Sequence, residues 1–114
     1  MSEATSNRNE LPPAEAVGLG GLCEYAPGAV VSRTLYKNKA GTVTLFSFEE
    51  GQGLSEHSAP FDALVQIVEG EAELTIGGKL VAARAGDLVL MPANIPHAVL
   101  ARDRFKMLLT MIRG

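Results

Sequence analysis

His57 and His97 are the only histidines in the sequence, and they stand far apart in it. An imidazole can bind a transition metal through a ring nitrogen, accept a hydrogen bond there, or exchange a proton near neutral pH. If the two rings meet in one pocket, all of these are open to them; if they do not, each is a structural side chain. His57 sits in GQGLSEHSAPFDALVQIVEG, Gly51 to Gly70, which sets one imidazole and one proline ahead of an apolar run. The lone thiol, Cys23, allows no disulfide and no thiolate metal cluster within one chain. No histidine stands near it in sequence to activate it, so it reads as a small buried hydrophobe.

The elements that must position these residues are short and β-prone. VVSRTLY (Val30 to Tyr36) ends at the turn-forming KNKAG, and TVTLFSF (Thr42 to Phe48) alternates with the period of two that a half-buried strand requires. EAELTI (Glu71 to Ile76) has Ala72, Leu74 and Ile76 on one face and Glu71, Glu73 and Thr75 on the other. It runs into Gly77-Gly78, a pair suited to the positive φ angles of a tight hairpin. KLVAA returns, RAGD turns, LVLM advances, ANIPH loops over and FKMLLTMI closes the domain. No stretch reads as a helix of ordinary length. Short strands separated by turn signals predict an all-β, antiparallel sandwich or barrel.

Residues 1–20 are polar, with Pro12, Pro13 and a GLGG tract, and are expected to form a mobile or loosely draped arm, leaving residues 21–114 as the barrel domain. The last strand is apolar on both faces, with Phe105, Met107, Leu109 and Met111 on one and Leu108 and Ile112 on the other. A strand of that kind usually faces a partner as well as its own core, so a homodimer is expected.

At 114 residues and 46% apolar, the chain suffices for one domain with a single core. The net charge is −3 with no basic run, which removes the electrostatic term that dominates nucleic-acid binding, so no nucleic-acid partner is expected. No apolar run approaches the roughly 20 residues that span a bilayer. The start, MSEATSNRNELPPAEAVG, lacks the basic-then-apolar order of a secretory signal. The expectation is a cytoplasmic protein with no membrane partner.

Two spaced patterns make the chain resemble the cupins, a family of small β-barrels. The family's first motif is a glycine, five residues, His-x-His, three or four residues, Glu, six residues and a glycine. Here Gly51, His57 and Gly70 fall on it, with Ala59 at the second histidine and Ala63 at the glutamate. Its second motif is a glycine, five residues, Pro-x-Gly, two residues, His, three residues and Asn. Gly86, Pro92 and His97 match, with Asn94 at the middle glycine and Ala101 at the final asparagine. Asparagine tolerates the left-handed backbone, so Asn94 can make the same turn. The resemblance covers roughly Gly28 to Ile112 and implies a double-stranded β-helix, or jelly-roll barrel.

The resemblance also implies that His57, Ala59, Ala63, Val65, Ile67, His97 and Val99 face the barrel interior. Met91, Met107, Leu109 and Met111 are candidates to line it, with Ser47 or Ser55 as minor polar contributors. Cupins typically hold iron, manganese, nickel or zinc with three imidazoles and a carboxylate; here only His57 and His97 remain as metal-ligand candidates, and alanine donates no electron pair. By strand alternation Gln66 and Glu56 point away from the interior and Asp62 caps a turn, so none is assigned as a ligand.

Three functions remain open from sequence. The chain can be a non-catalytic barrel that binds a small, largely apolar molecule. It can be a metal-dependent enzyme of the dioxygenase or isomerase kind, with a weakly held divalent ion and water completing the shell. It can also be a metal-free isomerase or epimerase with His57 or His97 as base. Sugars and nucleotides want more polar side chains than this interior offers.

Overall fold

The alternation read from the sequence folds into two antiparallel sheets packed face to face. The computed structural model describes residues 11–114. Its strands are β1 (Val30–Asn38), β2 (Gly41–Phe48), β3 (Gly53–His57), β4 (Asp62–Glu69), β5 (Glu71–Ile76), β6 (Lys79–Arg84), β7 (Leu88–Met91), β8 (His97–Leu100) and β9 (Phe105–Ile112). One sheet has the order β1-β2-β9-β4-β7, the other β3-β8-β5-β6. Among the described residues the only helical turn is Leu19–Gly21. The expected all-β, antiparallel barrel is the fold that forms.

The core lies between the sheets, where the strands turn alternate apolar residues toward one another. Phe48 and Phe105, both fully buried, stack with ring centroids 4.6 Å apart. Val65, Ile67, Ala72, Leu74 and Met107 fill the space around them. Gly77 and Gly78 have φ of +57° and +81°, which lets Ile76 pair with Lys79 across a two-residue turn. β1 runs two residues beyond its expected end, to Asn38. A bulge at Leu35 resets its register, so Lys37 and Asn38 go on pairing with Thr42 and Gly41.

A second apolar cluster sits on the outer face of the five-stranded sheet. Cys23, Leu35 and Leu45 are buried there, packed with Leu19, Leu22, Val31, Val43, Val68 and Leu108. The cover is the chain's own amino-terminal segment. Ser47 Oγ donates to the Cys23 carbonyl at 2.7 Å, Arg33 donates to the Leu22 carbonyl at 2.7 Å, and the buried Lys106 donates to that of Gly20. Tyr25 hydrogen-bonds Glu69 at 2.6 Å and lies under the cations of Arg104 and Lys106. Residues 1–10 of the expected arm lie outside the described residues; from Leu19 on, the chain is packed against the barrel. Leu108 therefore packs against the chain itself, whereas Ile112 stays exposed.

Candidate functional site

His57 is the last residue of β3 and His97 the first of β8, and the two are register partners. Their rings meet edge to face with centroids 4.5 Å apart. Two facing loops hold the strand ends at this spacing. Asn94 N–H donates to the Ala59 carbonyl at 2.7 Å, and Ala93 N–H donates to Asp62 Oδ1 at 2.8 Å. Asn94 has φ of +67°, the left-handed turn expected of it. Gly77 N–H donates to the Pro96 carbonyl at 2.8 Å, which ties the hairpin turn to the second loop.

Each ring is oriented by a carbonyl two residues back. His57 Nδ1 lies 2.8 Å from the Ser55 oxygen and His97 Nδ1 lies 3.2 Å from that of Ile95. A carbonyl oxygen only accepts, so each Nδ1 carries the proton, and in the neutral ring Nε2 is a bare acceptor. His97 is 8% exposed, while His57 is exposed at the lip. Burial holds the His97 pKa below the usual histidine range. The hydrogen bond to Ile95 acts the other way, and a charge on His57 lowers it further. His97 is thus a neutral acceptor at pH 7.

Of the expected interior residues, Ala63, Val65, Ile67, Met91, Val99, Met107 and Leu109 fall in the core between the sheets. Ala63 pairs with Met91 and Met111, Val65 with Leu109, and Ile67 with Met107. Val99 pairs with Leu54 and Leu74. Val65, Ile67 and Met107 are closed to solvent and form the packed floor. Ala63, Met91 and Val99 keep 5%, 3% and 5% of their surface, and Leu109 and Ala59 are half-buried. At the rim Arg113 stacks over Phe61, its guanidinium carbon 5.4 Å from the ring centroid.

Ser47 does not line this interior. Phe46 and Phe48 beside it face inward, so alternation turns Ser47 to the outer face, where it bonds to Cys23. Ser55 is exposed, and its contribution is the backbone oxygen that orients His57. Gln66 is exposed on the outer face, and Asp62 is committed to the Ala93 amide. A cleft of about 460 Å³ lies away from the histidine pair and shares no residue with it. It lies outside the four-stranded sheet among Glu71, Leu80, Ala82 and Asp103, beside the Glu73–Arg102 ion pair.

The donor set does not fit a resident metal ion. Protein zinc sites use three or four ligands, and here Ala59 and Ala63 supply none. Among the described residues no three His, Cys, Asp or Glu side chains stand close enough to share an ion.

A two-sheet barrel with paired histidines at its mouth is the architecture of a cupin, and the comparisons agree. The model of the cupin domain family matches residues 44–112, and the chain belongs to that family. A conserved protein of unknown function from Streptococcus pyogenes is 35% identical, with 98% of each chain covered and a TM-score of 0.88. A cupin superfamily protein from Desulfitobacterium hafniense is 29% identical over 96% of this chain and 100% of its own, with a TM-score of 0.87. A predicted oxalate decarboxylase from Thermotoga maritima, at 20% identity, 75% and 81% coverage and a TM-score of 0.69, shares the fold. No curated protein matches the sequence.

Proposed function

We propose that this cupin binds a small, largely apolar molecule at the barrel mouth, with the His57–His97 pair as the polar pole that orients it. The observation that carries this reading is that both Nδ1 atoms are engaged by backbone carbonyls, so the pair presents Nε2 acceptors. The ligand must therefore bring the hydrogen: a phenol, an alcohol or an amide N–H suits the pair. Ala63, Met91, Val99 and Leu109 give the apolar body its surroundings, and the sealed floor beneath them keeps the ligand small. A divalent ion such as Zn²⁺, Ni²⁺, Mn²⁺ or Fe²⁺ would have two protein donors and exchange readily.

The test is a fragment panel followed by NMR of the imidazole resonances. Phenol should shift both rings in the wild type and shift His97 less in His57→Ala. Its methyl ether, anisole, has the same apolar body without the donor and should shift neither. Equal shifts from phenol and anisole would remove the role given to the acceptors.

A further inference from the structure

The loop between β8 and β9 turns part of the outer face of the four-stranded sheet into a cleft. β5 and the edge strand β6 present alternate side chains on that face, with Glu73 opposite Ala82 and Thr75 opposite Leu80. A pair of strands makes a flat surface unless something rises beside it. Here Arg102 donates from Nε to Glu73, and that bond holds Arg102 and Asp103 of the loop beside the strands. The resulting cleft of about 460 Å³ has Glu71, Glu73, Arg102 and Asp103 as its polar lining and Ala72, Leu80 and Ala82 as its apolar lining. Ala82 is exposed there, so a longer side chain at that position would project into the space.

The lining selects its occupant by charge, polarity and size. Its three carboxylates face one guanidinium, and that guanidinium is already bonded to Glu73. Among the described residues neither Glu71 nor Asp103 has an ion-pair partner, and Arg84, the register partner of Glu71, does not line the cleft. The surplus negative charge draws in a cation and repels phosphates and carboxylates. No three His, Cys, Asp or Glu side chains among the described residues can share a metal ion, which leaves an organic cation. Leu80 is 63% exposed beside Ala82, an apolar surface that a ligand with a hydrocarbon body would cover. The volume falls within the roughly 300–1,000 Å³ of small-molecule sites. We propose that the cleft binds a small organic ammonium ion, its charge held by Glu71 and Asp103 and its apolar body laid on Leu80 and Ala82. This site is separate from the histidine mouth, and neither depends on the other.

Amide NMR on the ¹⁵N-labelled full chain, titrated with benzylamine at neutral pH, tests this. Benzylamine carries an ammonium on an aromatic body, and benzyl alcohol is its uncharged counterpart. Benzylamine should give saturable shifts centred on Glu71–Glu73, Leu80–Ala82 and Arg102–Asp103. Benzyl alcohol should bind there about tenfold more weakly or worse, the loss expected when a hydrogen bond to a charged group goes. Glu71→Gln with Asp103→Asn should weaken benzylamine by a similar factor. Both residues are exposed, so the circular dichroism spectrum should not change, and Glu71→Gln alone carries the test if the double variant does not fold. Ala82→Leu, which leaves the charge unchanged, should abolish the shifts by filling the cleft. No saturable response in these segments, equal binding of the amine and the alcohol, undiminished binding in the variants, or a response centred on His57 and His97 instead would each overturn the inference.

Discussion

The His57 and His97 rings meet edge to face at 4.5 Å, one at the lip of the barrel and the other buried beneath it. Burial and the neighbouring imidazole hold the His97 pKa low. A histidine whose pKa is depressed in the fold binds fewer protons there than in the unfolded chain. Its contribution to stability is complete above the unfolded value of about 6.5 and is lost as the pH falls through the folded value. The melting temperature should therefore decline below about pH 6.5, and His97→Gln should flatten that part of the profile. Parallel wild-type and variant profiles across that window would assign the decline to other groups.

Restoring the two missing donors should create a metal site. Ala59→His with Ala63→Glu completes the family's ligand set around His57 and His97. Titration calorimetry with Zn²⁺ should show affinity higher than wild type by at least an order of magnitude. Ala63 is buried against Met91 and Met111, so the glutamate should also lower stability when no metal is present. Unchanged zinc affinity in a folded double variant would show that positions 59 and 63 do not converge on the rings.

Asn94 holds the second loop in a left-handed conformation at φ +67°. Asn94→Val should cost about 1–2 kcal/mol, because a β-branched side chain clashes there. Asn94→Gly should leave the denaturation midpoint unchanged or raise it. The contrast between the two, read by urea titration, separates backbone strain from loss of the side chain.

Ser47 is fully buried and satisfies the Cys23 carbonyl. Ser47→Ala should cost about 1–3 kcal/mol by leaving that oxygen without its donor. Hydrogen exchange of the segment near Cys23 should rise more than that of β9 if the loss is local to the cover.

Much of this was legible in the sequence because alternation and glycine spacing carry it. β2, β5 and the Gly77-Gly78 turn follow directly from their residues, and the spacing from Gly51 and Gly86 marks the two strand ends at which His57 and His97 are register partners. The exposure of His57 was not legible. The β3–β8 pairing shifts register between Leu54 and His57, so counting alternate residues along β3 does not carry through to the ring. The outer cluster was hidden as well. Leu19, Leu22 and Cys23 have no strand periodicity of their own, and their partners come from β1, β2, β4 and β9. β8 is four residues long and follows two prolines, too short a run to read as a strand.

The most direct measurement is the tautomeric state of the two rings, read by long-range proton–nitrogen correlation on ¹⁵N-labelled protein at a pH where both are neutral. The expected result is a protonated Nδ1 and a bare Nε2 in both His57 and His97. A proton on Nε2 of either ring would contradict it, because the mouth would then present a donor, and the class of ligand it selects would be reversed.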